Sequence, residues 1–490
     1  MRLKTNLVIS VLFVVLLGFV YFYEIKGGEE RRSEAEKSKK LLDFSDHEAR
    51  RLTIERGDTT IVLEKTQDTW KLTAPVATDA EDDAVDRYLR NLNESEVERV
   101  VEDSGDVASD ATLLERYGLD APRLSVFLEL VEETKDTVRF GSDSPTERFA
   151  YAQRSGRDPS VFTVRAWRFD NLAKGVFDLR DKRVLPFDRQ EVREIRLVRP
   201  AEEDPIVITR NEGEAGWRLM SPVASPANQQ EVDELLQKLE DGEAMEFASE
   251  SPTSAELSGF GLVDGTRSTV SLLIGSDRAE KQFQIGSEGG EEGGSYARDA
   301  SRPQVFVVDS TLVGETRKSL FTLRDKQICQ IDDRELVANL ILERDGENLF
   351  EAERDSTNSW MITSPERRKA KSWKLNGMLT DLDGLQTTEF VADAAETSQL
   401  DLAQYGLDQP SLRILFHEGD GAGSVDIRFV HVAGASAYVY RLGVPTIYKV
   451  SAEALENLEL QFDDVAQAAA TAELLPADGT STDAVVTSTE

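Results

Sequence analysis

The chain has 490 residues, of which 40% are hydrophobic, and its formal net charge is −35. This length suffices for about three domains, and so acidic a chain lacks the basic surface that binds phosphates, so we expect no nucleic-acid partner. Cys329 is the only cysteine, which excludes an intramolecular disulfide and a cysteine-based zinc site.

The first predicted element is an apolar segment at residues 6–23, which follows Arg2 and Lys4 and is uncharged from residue 7 onwards. Its length lies at the lower limit for a membrane-spanning helix and also fits the core of a signal peptide. No cleavage site with small residues follows, and the aromatic residues at its end suit a membrane interface. The sequence therefore favours an uncleaved signal anchor.

The predicted topology is single-pass in the inner membrane, with residues 1–5 in the cytoplasm and the bulk of the chain outside it. Lys and Arg residues are more numerous after the apolar segment than before it, which by count favours the opposite orientation. A basic tip before an apolar run is nevertheless the layout of a secretory signal. Residues 24–40 are charged without apolar periodicity, which predicts a tether.

Three similar segments follow: TWKLTAP at residues 69–75, GWRLMSP at 216–222 and SWMITSP at 359–365. Their tryptophans, Trp70, Trp217 and Trp360, lie 147 and 143 residues apart. Each segment predicts a strand that ends at the proline. Because large aromatic side chains are mostly buried, we expect these tryptophans to lie in a core rather than to stack on a ligand.

An amphipathic helix is predicted after each tryptophan. Fifteen residues downstream, apolar residues recur at i, i+3, i+4 and i+7, which places them on one helical face. The three stripes are Val85, Tyr88, Leu89 and Leu92; Val232, Leu235, Leu236 and Leu239; and Leu375, Met378, Leu379 and Leu382. One pattern at one offset in three places predicts a tandem triplication.

A Leu-x-x-aromatic-Gly-Leu motif comes next, at residues 114–119, 257–262 and 402–407. The pattern predicts a short helix that ends at a left-handed glycine, namely Gly118, Gly261 or Gly406. The leucine after each glycine should then pack against the first leucine of its motif.

Strand and hairpin patterns fill the rest of each copy, including hairpins at residues 151–164, 296–308 and 438–450. The sequence therefore predicts an α+β fold in which an N-terminal transmembrane helix precedes three tandem α+β modules of about 145 residues. The predicted modules are residues 41–187, 188–331 and 332–465, the third being divergent. The small and polar residues of 466–490 predict a disordered tail.

These landmarks resemble those of an uncharacterised bacterial family. Besides the anchor, the Trp strand and the helix, they include Y-G-L-D, a strand ending in Gly-Ser (FGS at 140–142, IGS at 274–276), a Y-x-x-R hairpin, and L-R-D-K at 179–182 and 323–326. The third module lacks Gly-Ser and has QFDD in place of L-R-D-K. The resemblance covers residues 1–465 as three family units. It implies a membrane-anchored extracytoplasmic protein of unknown function, of a kind often encoded beside gliding-motility-type ABC transporters.

No motif in the sequence marks a catalytic, cofactor or metal site, and the family supplies no such residues. His47, His417 and His431 lack neighbours at ligand spacing, and no nucleophile elbow, phosphate loop or H-E-x-x-H pattern occurs. We therefore predict no enzymatic activity, no cofactor and no metal. For L-R-D-K we expect its cations to neutralise carbonyls at a helix end while the Asp caps the next turn; binding an anion or a partner is the alternative.

One charged segment is a candidate partner-binding site. Before the third helix lies a basic patch of Arg367, Arg368, Lys369, Lys371 and Lys374, whereas the corresponding segment of the first module is acidic. A solvated face is one interpretation. The other is docking of an acidic partner, lipid headgroups or another module.

The sequence thus favours a non-enzymatic, membrane-anchored scaffold or accessory subunit of an ABC-transporter or cell-envelope complex. The alternative is a cell-wall hydrolase or a carbohydrate-binding envelope protein. A pocket lined by paired acids in a single module would favour that alternative.

Overall fold

The computed structural model describes residues 39–109, 112–131, 134–155, 160–210, 216–291, 293–418, 423–432 and 436–468. The predicted cytoplasmic tip, membrane segment 6–23, almost all of the tether 24–40 and the tail from residue 469 lie outside the described residues. Among the residues that are described, no helix is both long and apolar enough to cross a membrane.

The predicted α+β fold class is wrong, because the chain is mostly β. Strands account for 42% of the described residues and helices, including the 3-10 turns, for 24%, and these strands form three nine-stranded antiparallel sheets. The prediction placed too much weight on the amphipathic helix of each module. That helix has 12 residues in each module, whereas the other described α-helices have seven or fewer.

The sheets are built from consecutive stretches of chain. The first contains β1 (Ala49–Arg56), β2 (Thr59–Thr66), β3 (Thr69–Ala74), β4 (Thr78–Asp79), β5 (Arg99–Glu102), β6 (Leu124–Leu130), β7 (Lys135–Asp143), β8 (Phe149–Ser155) and β9 (Val161–Arg165). The second contains β10 (Val192–Val198), β11 (Ile206–Thr209), β12 (Arg218–Ser221), β13 (Ser225–Pro226), β14 (Glu246–Ser249), β15 (Ser268–Ile274), β16 (Ala279–Glu288), β17 (Ser295–Asp299) and β18 (Val305–Val308). The third contains β19 (Val337–Arg344), β20 (Glu347–Arg354), β21 (Trp360–Ser364), β22 (Arg368–Lys369), β23 (Glu389–Asp393), β24 (Leu412–Glu418), β25 (Ser424–Val432), β26 (Ser436–Arg441) and β27 (Thr446–Ser451).

All three sheets have the same strand order. In the first it is β4-β3-β2-β1-β6-β7-β8-β9-β5, and the strands of the other two follow the same sequence of positions. The described α-helices are α1 (Asp82–Asn93), α2 (Ser104–Ser109), α3 (Thr112–Arg116), α4 (Ala166–Leu172), α5 (Val176–Leu179), α6 (Gln229–Glu240), α7 (Ser254–Gly259), α8 (Ser310–Thr316), α9 (Leu320–Leu323), α10 (Ser372–Asp383) and α11 (Phe462–Val465). The three predicted amphipathic helices are thus α1, α6 and α10.

Packing divides the chain into two compact units. One comprises the described residues up to Pro186 together with Asp241–Leu262 and Gly286–Ser310. The other comprises Phe187–Glu240, Val263–Ile285 and the described residues from Thr311 onwards. The second sheet therefore contributes strands to both units, and the module boundaries named above remain predictions.

The three repeated tryptophans are buried, each beneath the start of its amphipathic helix. Trp70, Trp217 and Trp360 are no more than 3% exposed. Their backbone N–H groups donate to side chains twelve residues on, namely Asp82, Gln229 and Ser372, at the first turn of the helix. A cation from the end of the preceding strand, or from the residue just after it, lies over each ring. The four apolar residues of each predicted helical stripe are likewise buried.

The Leu-x-x-aromatic-Gly-Leu motifs have the expected Schellman geometry. Gly118, Gly261 and Gly406 have φ values of 65°, 71° and 72°. The N–H of the following leucine donates to the carbonyl of the first leucine at 2.8–2.9 Å in all three motifs. The aromatic residue of each motif also contacts the first tyrosine of the predicted hairpin, with ring centroids 4.6, 4.5 and 5.3 Å apart.

The turn at Gly118 is contacted by a second glycine, Gly141, which belongs to the Gly-Ser element. In β7, Ser142 N–H donates to the carbonyl of Tyr117 at 2.8 Å. A Cβ on Gly141 would lie only 2.1 Å from that carbonyl oxygen. Glycine at position 141 therefore permits the strand to touch the turn.

The Gly-Ser element of the second module is not IGS at 274–276, as predicted, but IGS at 285–287. There Ser287 N–H donates to the carbonyl of Phe260 at 2.9 Å, and a Cβ on Gly286 would lie 2.0 Å from the same oxygen. Pairing across the sheet places Val430 at this position in the third module. A Cβ on Gly406 would be 3.5 Å from Val430, so the third turn has room for a side chain.

Gly141→Ala is expected to lower the unfolding free energy of the first module by about 2–3 kcal/mol, because the added methyl group must displace backbone rather than a side chain. The change in unfolding free energy is measured by denaturant unfolding of the full chain, with hydrogen exchange of the β7 amides as the local probe. Gly105→Ala is the matched control, since no atom lies within 4 Å of the position that its methyl group would occupy. Equal effects of the two substitutions would contradict this account of the turn.

Candidate functional site

The L-R-D-K segments form charged sites that recur at two places in the chain. Each begins at the last residue of a short helix, α5 or α9, and runs toward the following sheet. We call Arg180 with Phe247 and Glu250 the first clasp. Arg324 with Phe390 and Asp393 forms the second clasp.

In the first clasp the Arg180 side chain is almost completely buried. Its two terminal nitrogens donate to the two carboxylate oxygens of Glu250, at 2.5 and 3.2 Å. Its guanidinium carbon lies 3.2 Å from the ring centroid of Phe247, and Phe177 meets the same ring edge-on. A guanidinium suits this position because it pairs in a bidentate manner with a carboxylate while its flat face packs on an aromatic ring.

The second clasp repeats the first. Arg324 donates to both oxygens of Asp393 at 2.8 and 3.0 Å, and its guanidinium carbon lies 3.6 Å from the centroid of Phe390. The ring of Phe321 packs edge-on against Phe390. Thr446 donates its hydroxyl to Asp393 at 2.8 Å and thereby orients the carboxylate.

The other two residues of the motif also have repeated roles. Asp181 and Asp325 accept hydrogen bonds from the backbone N–H two residues on, at 2.9 and 3.0 Å, which is the predicted turn cap. Lys182 and Lys326 lie over the rings of Phe177 and Phe321. The predicted role of the arginines was wrong: they bind a carboxylate and a ring instead of neutralising carbonyls at the helix end.

The third module replaces the clasp arginine with alanine. Isolated bridges pair Ala80 with Arg180, Ala227 with Arg324 and Ala370 with Ala466, so Ala466 is the equivalent of the two arginines. The QFDD segment assigned to this position in the sequence instead includes Gln461, which caps α11, and three residues of that helix.

Glu250 and Asp393 were missed in the sequence, although a signal was present. In the second and third modules a phenylalanine lies 30 residues after the repeated tryptophan and an acidic residue 33 residues after it. In so acidic a chain this Phe and acid pair does not stand out. Its role becomes clear only from the structure, in which Arg180 or Arg324 contacts both residues.

The predicted basic patch is partly engaged in internal bonds. Lys371 donates to the carbonyls of Asp463 and Asp464 at 3.1 and 3.2 Å, and Arg368 pairs with Glu366 at 2.8 Å. Arg367 and Lys369 are exposed.

Beside this patch lies an exposed tryptophan that the sequence did not mark. Trp373 is 68% exposed, and the ammonium group of Lys374 lies 4.9 Å from its ring centroid. The surface therefore combines two exposed cations with a cation-flanked aromatic ring at the start of α10.

A cleft of about 660 Å³ opens in the third module, lined by Glu343, Asp345, Asp408, Arg413 and Arg428 among others. Arg413 donates to both oxygens of the buried Asp426 and to Glu343, and Arg428 also donates to Asp426. In the first and second modules Ser125 and Thr269 occupy the position of Arg413. The network is thus specific to one module.

The electrostatics around Asp426 do not suit this carboxyl to act as a general acid. Burial by itself would raise the pKa of Asp426, but hydrogen bonds from Arg413 and Arg428, with their charges, outweigh it and hold that pKa below its usual value. A general acid needs the opposite shift, toward a proton retained near neutral pH. Asp426 serves as a fixed counter-ion for two arginines.

Asp426 should make the stability of the third module depend on pH. Because its pKa is lower in the folded state, its contribution is complete above the unfolded value of about 4 and is lost as pH falls below it. Asp426→Asn should therefore destabilise the module at pH 7. The difference in unfolding free energy between the variant and the unsubstituted chain should become smaller as the pH falls from 5 to 3. Thermal unfolding across this pH range measures the difference. A stability difference that does not change with pH would contradict a role for the Asp426 charge.

The histidines do not gather at one site. His417 Nδ1 lies 2.7 Å from the amide oxygen of Asn339, and His431 pairs with Glu459 at 2.5 Å. Within the described ranges, no group of three or more His, Cys, Asp or Glu residues is placed to hold a metal ion.

Comparison with known proteins identifies one family. A family model described as a domain of unknown function (DUF4340) matches residues 70–215, 217–401 and 360–474. No curated protein and no solved structure gives a significant match. The three matches begin at the three buried tryptophans. The chain therefore belongs to the DUF4340 family and contains three tandem units of it.

Proposed function

We propose that the protein is a non-enzymatic scaffold or accessory subunit. It is held at the inner membrane by residues 6–23, with the remainder outside the cytoplasm, and it binds a protein partner in a cell-envelope or ABC-transporter complex. One observation carries the proposal: the residues that recur between modules have structural partners. The tryptophans lie in cores, the aromatic–glycine motifs close turns, and the arginines form clasps.

The surfaces, in contrast, differ between modules. The first turn of α1 carries Asp82 and Asp83, whereas α10 begins with Trp373 and Lys374 beside Arg367 and Lys369. A common framework with differing surfaces is what a protein needs if its modules contact different partners. An exposed tryptophan flanked by cations also has the composition of an interaction hot spot.

The proposed membrane anchor and the proposed transporter context are supported by the sequence and by the family resemblance. The uncharged run from residue 7 to residue 23 is long enough to anchor the chain, and the resemblance described above implies an extracytoplasmic location. A reporter that is active only in the cytoplasm, fused after Phe462, should be inactive in cells. An active reporter would overturn the proposed orientation.

Site-specific photo-crosslinking tests the scaffold role. A photoreactive amino acid at Trp373 of the full chain, expressed in its native cells, should yield one discrete adduct with an envelope membrane protein. Leu442 is a matched control because it is also apolar and 53% exposed, and the same probe there should not give that adduct. Absence of an adduct from Trp373, or an identical pattern from Leu442, would count against a partner at this surface.

The hydrolase or carbohydrate-binding alternative makes a different prediction. It would place the activity in the cleft of the third module, where Glu343, Asp345 and Asp408 line the wall. Purified full chain that releases fragments from cell-wall polymer, and loses this activity in Glu343→Gln and Asp408→Asn, would replace the scaffold proposal.

A further inference from the structure

We propose that the basic patch and Trp373 together bind an acidic segment of a partner protein. Carboxylates of that segment meet Arg367 and Lys369, and an apolar side chain packs on the indole ring of Trp373. The inference rests on the proposed function, because it assigns a chemical class to the partner expected at this surface.

The basic patch is the counterpart of an acidic surface in the first module. Three positions, 9, 11 and 13 residues after the repeated tryptophan, hold Asp79, Glu81 and Asp83 in the first module, Pro226, Asn228 and Gln230 in the second, and Lys369, Lys371 and Trp373 in the third. The first position is in each case the second residue of the two-residue strand β4, β13 or β22. Because one framework carries acidic, uncharged and basic residues here, the fold itself does not require the cations.

Much of the charge of the basic patch is not neutralised by described parts of the chain. Five cations and no acid occur in its sequence, RRKAKSWK. Arg368 and Lys371 bond to other residues, whereas Arg367, Lys369 and Lys374 form no ion pair with an acid of the described ranges. These three cations can attract an external carboxylate without first breaking an internal pair.

Trp373 adds an apolar surface to these cations, and the chain provides a matched contrast. The other exposed tryptophan, Trp167, is 49% exposed, and the guanidinium carbon of Arg168 lies 4.2 Å from its ring centroid. Arg168 in turn pairs with Glu94 at 3.4 Å. The charge beside Trp167 is therefore compensated, whereas Trp373 lies among cations that retain their charge.

The backbone beneath the basic patch is held by the end of the third module. Lys371 N–H donates to the Val465 carbonyl at 2.7 Å, and Gln467 N–H donates to the Lys369 carbonyl at 2.9 Å. The Gln467 side chain also donates to the Ala370 carbonyl at 3.0 Å. The cations are therefore presented from fixed backbone, which reduces the ordering cost of binding.

An acidic protein segment fits this surface better than an anionic membrane does. Exposed acids border the basic patch at Glu366, Asp463 and Asp464. Salt screens charges beyond about 8–10 Å, so a narrow segment can lie near the cations alone. A bilayer is an extended surface and would face the bordering acids as well, which would repel its headgroups.

Iodide quenching of tryptophan fluorescence tests the proposal on the full chain held in phosphatidylcholine nanodiscs. Trp70, Trp217 and Trp360 are no more than 3% exposed, so quenching reports on Trp167 and Trp373. The probe is an oligoglutamate peptide that contains one leucine. In Trp167→Phe the peptide should lower iodide quenching, because it covers Trp373; in Trp373→Phe it should leave quenching unchanged.

A double charge reversal separates local recognition from net charge. Arg367→Glu with Lys369→Glu should weaken peptide binding about tenfold, because attraction at the patch becomes repulsion. Arg317→Glu with Lys238→Glu changes the net charge equally at two exposed cations elsewhere, and the affinity should stay nearly unchanged. Absence of protection by the peptide, or equal weakening by the two double variants, would overturn the proposal.

Two other occupants of the surface are tested in the same assay. Phosphatidylglycerol vesicles that protect Trp373 as well as the peptide does would overturn the proposal in favour of a membrane surface. Protection that rises with chain concentration in the absence of peptide, together with dimers in sedimentation, would overturn it in favour of a second copy of the chain.

Photo-crosslinking distinguishes failure of this inference from failure of the proposed function. With the photoreactive residue at position 373, Arg367→Glu with Lys369→Glu should reduce the adduct about tenfold, and the control pair should not. An adduct that persists in both backgrounds would leave the partner in place and overturn its acidic character. Absence of the adduct in the unsubstituted background, with peptide binding intact, would count against the proposed function alone.

Discussion

Replacement of Trp360 by alanine is expected to lower the unfolding free energy of the third module by about 3–5 kcal/mol. The side chain is 1% exposed, and its indole N–H donates to Asn376 at 2.9 Å. The guanidinium carbon of Arg354 lies 4.5 Å from its ring centroid. Truncation would leave a large cavity, an unpaired amide oxygen and an uncovered cation.

Hydrogen exchange within β21 and α10 is the appropriate measurement, because a chain with two compact units need not unfold in one step. Trp373→Ala is the matched control in the same module, and because Trp373 is exposed it should change the unfolding free energy by less than about 0.5 kcal/mol. Similar losses of unfolding free energy in Trp360→Ala and Trp373→Ala would mean that burial does not explain why a tryptophan recurs at the position of Trp360.

Arg324→Ala should destabilise the second clasp by about 3 kcal/mol, because removing one partner of a buried ion pair leaves the other charge uncompensated. Asp393 retains some solvent contact, which is why we choose the lower end of the usual range. Arg324 also covers the ring of Phe390, so the loss should be greatest in β23.

Local exchange in β23 measures this effect. Arg317→Ala, which removes an exposed arginine nearby, is the control and should be nearly neutral. Arg324→Lys should recover only part of the loss, since an ammonium group cannot reproduce the bidentate geometry. Full recovery with lysine would show that charge alone matters, and that the shape of the guanidinium does not.

Local patterns in the sequence predicted local structure well. The helix stripes, the strands ending before Pro75, Pro222 and Pro365, and the left-handed glycines depend on periodicity or on single backbone positions. These features follow from residues a few positions apart. They are therefore visible without knowledge of the fold.

Features that depend on distant residues were not predictable in this way. IGS occurs twice in the second module, and only the contact with the Phe260 carbonyl identifies the copy at 285–287 as the structural equivalent. The clasp pairs residues about 70 positions apart. The two-residue strands β4, β13 and β22 carry too little sequence to show alternation, so they could not be predicted.

The peptides that carry the clasps also form backbone hydrogen bonds at sheet edges. The N–H of Asp181 donates to the carbonyl of Asp79 in the outer strand β4, and one residue later the Lys182 carbonyl accepts from Ala244, just before the outer strand β14. Asp325 and Lys326 do the same for Pro226 and Thr387. Open edges of this kind are where β proteins aggregate by adding strands from other molecules. Because these connections occupy backbone positions at such edges, we expect a protease cut within residues 180–182 or 324–326 to promote aggregation.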